Sequence, residues 1–388
     1  MLLLTASMKV LLATDIFPPV SGGPATYSVT LAREFTAQSI TVTIVSLTVG
    51  ADASQVPCPV IAVKPGPKVL RYLAYFWYLW RAARAADVIY AMGPVNAGLP
   101  AWVVSRLRRR PLAVKVVGDY AWEQGTQRFG VAEDVDAFQS APRQSFPVKI
   151  LRAIESFVVS HADRVITPSQ YLRRMVVGWG APEEKVKVVY NAVGFKEAVP
   201  VSKPPGEFWI VSVGRLVPWK GMATLIRVAG NLRSEYPGLR LKILGDGPEL
   251  KALQKSVQEL GLAGIADLRG NVARDQTLGF IAAADLFILN SGYEGLSHTL
   301  LEVAHAGRPI LASNKGGNPE VVIPGQTGEL FPFEDGAAIE KITREVIAGV
   351  RQLSRALSGP EREAFFTKFS LPTMVAETRL LLERLCRH

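Results

Sequence analysis

Short apolar runs alternate with longer segments of helical period along nearly the whole chain. MKVLLATD (8–15), TVTIVSLT (41–48), DVIYAM (87–92), LAVKVVGD (112–119), DRVITPS (163–169) and VKVVYNAV (186–193) predict strands in the first half. EFWIVSVG (207–214), RLKILGDG (240–247), ADLFILNS (284–291) and RPILAS (308–313) predict them in the second. Between these runs, ATYSVTLAREFTAQ, WKGMATLIRVAGNLRSEYP, PELKALQKSVQELGL and LSHTLLEVAHAG carry helical spacing. Strand–helix–strand alternation with unbroken apolar strands predicts parallel sheets covered on both faces. The pattern fails in GFKEAVPVSKPPGEF, which holds three prolines and reads as a linker. The expected organisation is α/β, with two Rossmann-like doubly wound domains facing each other across a cleft. Residues 1–195 form the first, 196–206 the linker and 207–371 the second. The amphipathic segment 372–388 is expected to complete the first domain. Ligands of such sheets sit beyond the C-terminal strand ends.

The chain has 388 residues, 48% hydrophobic and 20% charged, a folded balance that excludes a disordered class. Cys58 and Cys386 give neither a disulfide framework nor a metal spacing, so a reducing cytoplasm is expected. MLLLTASMKVLLATD lacks a basic leader region, and no run reaches the roughly 18 apolar residues of a membrane span. The net charge is +10, and residues 1–198 carry 22 Lys+Arg against 14 Asp+Glu. A basic first half suggests an anionic partner, whereas no nucleic-acid recognition motif accompanies the charge. RYLAYFWYLWRAARAAD (71–87) predicts an aromatic helix, flanked by Lys64, Lys68, Arg71, Arg81 and Arg84. It reads as a core helix or as a contact with the inner face of a membrane, where the cluster Arg106, Arg108, Arg109 and Arg110 would add charge.

The chemistry concentrates at the predicted strand ends. Glu294 and Glu302 bracket EGLSHTLLE, where a strand turns through Gly295 into a helix. A helix start offers free N–H groups to an anion, and the two carboxylates suit hydroxyls on the same ligand. Arg215 and Lys220, in RLVPWKG after another strand, suit a diphosphate that gains charge as its bond to a sugar breaks. Gly245 and Gly247 in LGDGPE, and Gly270 with Asn271 in RGNV, read as ligand-side turns or as ordinary ones. Gly22 and Gly23 precede a helix in the first domain, without the spacing or the acid of a dinucleotide fingerprint. Asp119 at a strand end reads either as an acid–base group for a hydroxyl or as a cap of the next turn. Asp134 and Asp136 read as a solvated face rather than a metal site. GGNPEVVIPGQTGELF, punctuated by Gly316, Gly317 and Gly328, predicts a second loop and a hairpin.

Together FPPVSGG, VGRLVPWKG, ILGDGPEL, RGNV, EGLSHTLLEVAHAGRPILAS and GGNPEVVIPGQTGELF, in this order, resemble the retaining glycosyltransferases of family 4 with the GT-B fold. The resemblance implies a UDP-, GDP- or ADP-sugar donor and a glycan, lipid-linked or small-molecule acceptor, with no metal cofactor. It implies that Glu294 holds sugar hydroxyls, Glu302 the ribose, and Arg215 and Lys220 the diphosphate. Gly295, Leu296 and Ser297 would offer main-chain N–H groups, and Gly22 and Gly23 would close over the phosphates. The chain departs from the family where many relatives carry a His, here Gly118 and Asp119. It departs again where Asn191, Ala192, Val193 and Gly194 replace the usual Asn-Gly-Val-Asp. Competing expectations are a nucleotide-sugar epimerase or hydrolase and a non-catalytic binding subunit.

Overall fold

The computed structural model describes residues 7–20, 22–141, 144–192, 198–353 and 357–387. The chain divides into two compact units, Met1–Tyr190 with Pro372–His388, and Asn191–Leu371. In the first, β1 (Lys9–Thr14), β2 (Thr41–Ser46), β3 (Val60–Ala62), β4 (Val88–Met92), β5 (Leu112–Lys115), β6 (Arg164–Thr167) and β7 (Val186–Val188) form one parallel sheet. Its order is β3-β2-β1-β4-β5-β6-β7, so the winding reverses between β1 and β4. β4 and β5 are buried at every position, as their unbroken apolar sequences require of central parallel strands.

In the second unit, β8 (Phe208–Val213), β9 (Leu239–Leu244), β10 (Ala266–Leu268), β11 (Leu286–Leu289), β12 (Ile310–Ser313) and β13 (Glu329–Phe331) are again all parallel, in the order β10-β9-β8-β11-β12-β13. The reversal falls between β8 and β11. Both units are therefore doubly wound α/β sheets.

Three expectations change. VKVVYNAV gives only the short β7, and Val193 and Gly194 lie outside the described residues. The expected hairpin in 316–331 does not form. β13 pairs parallel with β12, Leu311 opposite Glu329, and a Cβ on Gly328 would come within 2.5 Å of the Ile310 carbonyl oxygen. The described part of the expected linker, 198–206, packs on the second unit. The Val199 N–H donates to the Asp275 carbonyl at 3.2 Å, and Lys203 donates to both Asp285 oxygens at 2.6 and 2.7 Å. The rest of that linker, 196–197, lies outside the described residues.

The C-terminal helix Leu371–Cys386 buries Met374, Val375, Thr378, Leu382 and Leu385. The Thr378 hydroxyl lies 3.3 Å from that of Tyr27, which lies 3.1 Å from that of Tyr90.

Candidate active site

Each loop of the site leaves the C-terminal end of a strand in the second unit. After β8 the chain passes Gly214 and the exposed Arg215, makes a tight turn over Pro218–Lys220 and enters the helix Met222–Leu232 at Gly221. Gly221 has a left-handed backbone, φ 55°. A Cβ there would lie 2.3 Å from both Asn290 Nδ2 and Glu334 Oε1. Asn290, fully buried at the end of β11, donates to the Gly221 carbonyl at 3.0 Å and to Glu334 Oε1 at 2.8 Å, and accepts from the Glu334 N–H at 3.0 Å. This network sets where Lys220 stands.

Lys220 Nζ donates to Glu294 Oε1, and the two side chains are only 14% and 15% exposed. The Gly292 N–H donates to the Trp219 carbonyl at 2.7 Å, fixing one loop to the other. Glu294 is held from the opposite side by the loop after β12. The Gly317 N–H donates to the Glu294 carbonyl at 2.8 Å, and Cβ atoms at Gly316 and Gly317 would strike the Glu294 and Gly295 carbonyl oxygens at 2.3 and 2.5 Å. Beneath, Ser313 Oγ donates to the Ser291 carbonyl at 2.5 Å, and Asn318 Nδ2 donates to the Ser313 carbonyl at 3.1 Å.

Beyond Glu294 the chain enters the helix His298–His305. Ser297 caps it, its hydroxyl accepting from the Leu300 N–H at 3.3 Å. Among the described residues the N–H groups of Gly295, Leu296 and Ser297 donate no hydrogen bond. Three free donors next to a helix start suit an anion. Glu302, one turn on, accepts from Arg274 at 2.5 Å with its side chain 11% exposed. Burial pushes its carboxyl above the usual carboxylate range, and the Arg274 guanidinium pulls it back only in part. The Arg215 guanidinium makes no hydrogen bond or ion pair among the described residues.

Gly245 and Gly247 owe their identity to the protein itself. Cβ atoms would lie 1.9 Å from the Gly214 carbonyl oxygen and 2.3 Å from that of Leu216, because the loops after β8 and β9 run in contact. The Gly245 N–H donates to the Gly270 carbonyl at 2.8 Å. Asn271 is exposed beside it.

Gly22, Gly23 and Asp119 belong to the first unit. Gly22 precedes the helix Gly23–Ala37, and a Cβ on Gly23 would meet nothing within 4 Å, so packing does not demand glycine there. Asp119 is 1% exposed and corrects the expectation of an acid–base group open to a hydroxyl. It caps the helix Tyr120–Arg128, accepting from the Trp122 N–H at 2.7 Å and from Gln139 Nε2 at 2.8 Å. Burial raises its pKa against those hydrogen bonds. Asp134 likewise caps a helix, accepting from the Ala137 N–H at 2.8 Å, and Asp136 accepts from the Tyr171 hydroxyl at 2.7 Å. Among the described residues no three His, Cys, Asp or Glu side chains form a metal-binding group.

Sequence reasoning missed Asn290, Arg274, Ser313, Asn318 and Glu334. Asn290 and Ser313 carried a local signal, polar residues ending the buried runs LFIL and ILA. Arg274 and Glu334 act through contacts between distant segments, and Asn318 through the neighbouring Ser313.

The comparisons with known proteins concern the family and the fold. A family model described as "Glycosyl transferases group 1" matches residues 195–356, and one described as "Glycosyl transferase 4-like domain" matches 22–192. A GDP-mannose-dependent alpha-(1-6)-phosphatidylinositol monomannoside mannosyltransferase of Mycobacterium tuberculosis is 33% identical over 156 residues, 38% of this chain and 40% of the relative. The lipopolysaccharide core biosynthesis glycosyltransferase LpsD of Rhizobium meliloti is 32% identical over 210 residues, 53% of this chain and 58% of the relative. The chain thus spans about half the length of the curated relatives it matches. Among solved structures, Anabaena HepE in complex with UDP and glucose superposes with a TM-score of 0.74 at 20% identity, covering 97% of this chain and 100% of that one. Sucrose-phosphate synthase from Thermosynechococcus elongatus gives 0.74 at 19%, covering 97% and 99%. The fold is GT-B.

Proposed function

The chain belongs to the family 4 type of glycosyltransferases, and from that premise we propose that it moves a hexose from a nucleoside-diphosphate sugar to a hydroxyl of a glycan, lipid-linked or small-molecule acceptor. The transfer retains the anomeric configuration and uses no divalent metal. The observation that carries the reading is the Lys220–Glu294 pair beside three unsatisfied N–H groups at the start of His298–His305.

Without donor, Lys220 and Glu294 satisfy each other. A diphosphate draws Lys220 to itself, joined by Arg215 and by the Gly295, Leu296 and Ser297 N–H groups. Glu294 then accepts a hydrogen bond from the donor sugar, and Glu302, steadied by Arg274, accepts from the ribose. Gly22, Gly23, Gly270 and Asn271 are positions where donor groups approach the backbone. As the anomeric C–O bond breaks, its electron pair goes to the phosphate oxygen, where the cations and N–H groups hold the growing charge. The acceptor oxygen bonds on the same face, and its proton passes to that phosphate oxygen. Asp119 serves as a positioning residue for the helix it caps.

The first unit touches an anionic membrane surface in this reading, which favours the lipid-linked class among those acceptors. Val69, Leu70, Leu73 and Trp77 expose more than half of their surface on the helix Lys68–Ala82, amid the exposed Lys64, Lys68, Arg81 and Arg84. No helix among the described residues is long and apolar enough to cross a membrane.

A thermal-shift panel of UDP-, GDP- and ADP-sugars in chelator tests the reading. One donor should raise the melting temperature, since it binds only the folded state. That donor should be consumed with an acceptor present, giving a product of unchanged anomeric configuration. Glu294→Ala should cost roughly 10²–10³-fold in turnover. Failure of every sugar nucleotide to stabilise the protein or turn over would sink the proposal.

A further inference from the structure

The second unit has a cavity at the N-terminal ends of its strands, whereas the loops described above leave the C-terminal ends. Arg308 precedes β12, and Gln326 and Thr327 precede β13. Together with Gly307, Leu357 and Arg362 they line a space of about 50 Å³. That is room for roughly three or four waters, or for one tetrahedral oxyanion.

The fold fixes the walls of this cavity. Gly307 makes a left-handed turn, φ 66°, beyond the helix His298–His305, and the Arg308 N–H donates back to the Val303 carbonyl at 3.2 Å. The Thr327 hydroxyl accepts from the Ile323 N–H and donates to the Val321 carbonyl, both at 2.8 Å. Arg362, on the helix Gly359–Lys368, stands 4.8 Å from the centre of the Phe366 ring, which in turn meets the His305 ring edge-on at 5.4 Å. Arg362 also borders an adjoining open hollow, lined by His305, Glu363, Phe366 and Thr367.

Charge in the cavity is unbalanced. Among the described residues neither Arg308 nor Arg362 makes an ion pair or a side-chain hydrogen bond. Arg308 Nε is shut off from water without a partner. A partly desolvated cation is costly unless an anion pairs with it. The end of His298–His305 supplies about half a negative charge, far less than two guanidinium groups carry. Glu363 lines the hollow and not the cavity. A carboxylate ligand would leave one of the two cations unmatched. A phosphomonoester, with about −1.5 to −2 at neutral pH, matches both and suits the planar fork of arginine.

We propose that Arg308 and Arg362 form a second ligand site, for the phosphate group of a small phosphomonoester whose organic part lies in the adjoining hollow. Glu363 and Thr367 there suit its hydroxyls, and the Phe366 ring its carbon face. The site stands independently of the glycosyltransferase reading.

Inorganic phosphate and glycerol 3-phosphate serve as probes, with the histidine ring signals followed by NMR at low ionic strength. Burial and then the Arg362 charge lower the His305 pKa. An anion on Arg362 offsets the second cause, so both probes should raise that pKa, and glycerol 3-phosphate should do so at the lower concentration. Arg308→Gln should weaken binding roughly tenfold, the worth of a charge-assisted hydrogen bond. Arg308→Lys, which keeps the charge and loses the fork, should fall between. Arg362→Gln should raise the His305 pKa without any ligand and leave it unresponsive to both probes. The effect should persist in Lys220→Ala, and sugar-nucleotide affinity should be unchanged in Arg308→Gln. An unmoved His305 pKa in the wild type, equal binding by a folded Arg308→Gln variant, or loss of the effect in Lys220→Ala would overturn the site. Equal affinity for the two probes would overturn the place given to the organic part.

Discussion

Gly221 shows how much one residue decides at this site. Its left-handed φ and the 2.3 Å that a Cβ would leave to Asn290 and Glu334 exclude any side chain. Gly221→Ala should destabilise the protein by about 2–4 kcal/mol, adding left-handed strain to overpacking. The urea midpoint should fall, and sugar-nucleotide affinity should fall with it, because Lys220 is displaced. An unchanged midpoint would mean that the loop yields freely. Lys220 and Glu294 were legible in the sequence from their places at strand ends. Their mutual pairing was not, because it joins positions 74 residues apart. Two of the glycines are set by packing. The sequence shows that Gly245 and Gly247 lack a side chain, but the protein backbone, rather than a ligand, occupies the space where one would be.

The aromatic helix Lys68–Ala82 has two faces with two uses. Tyr75 and Leu79 are buried beneath it, whereas Val69, Leu70, Leu73 and Trp77 point outward. The exposed stripe is ringed by cations, which is the composition of an interfacial helix in the reading proposed above. The protein should co-float with vesicles containing anionic lipid and not with purely zwitterionic ones, and added salt should weaken the association. Leu73→Glu with Trp77→Glu should abolish flotation without changing the melting temperature by more than a few degrees. Flotation by the double variant would place the contact elsewhere. The sequence announced this helix and both of its readings. Which side faces the sheet was not legible there, since a stretch rich in aromatics all round carries only a weak directional signal, and the flotation assay decides between the readings.

At the scale of the molecule, the C-terminus returns to a buried charge. Lys115, at the end of β5, is fully buried, donates to the Val189 carbonyl at 3.2 Å and lies 4.5 Å from the centre of the Tyr27 ring. Glu377 on the C-terminal helix is its charged neighbour, with Tyr27, Tyr90 and Thr378 close by. Burial lowers the Lys115 pKa from 10.5 to about 7, although Glu377 acts to raise it. The folded chain therefore releases this proton before the unfolded chain does. Stability should rise with pH from about 7 toward 10, because the unfolded state binds more protons there. Below about 7 both states hold the proton, and this contribution is flat. The buried tyrosines Tyr27 and Tyr90, with raised pKa values, oppose the trend only near and above 10. Urea midpoints at pH 7 and 9.5 should therefore differ, and Lys115→Met should remove most of the difference. Equal midpoints in the wild type would show that the charge is compensated. In sequence Lys115 is one cation in an apolar run. Its burial depends on a helix more than 250 residues away.

By itself the sequence determined that this chain builds two parallel doubly wound sheets, and it placed the candidate site residues of the second unit at strand ends. That information is local: apolar period, β-branched runs and glycine at junctions set the strands and helices wherever they later pack. The tertiary structure decided what each polar group meets. It paired Lys220 with Glu294 and Arg274 with Glu302, turned Asp119 into a helix cap, and joined Asp15, Asn96 and Tyr72 by hydrogen bonds at the reversal of the first sheet. Those outcomes rest on contacts between segments far apart in the chain, and a buried polar group takes its role from the partner it finds there.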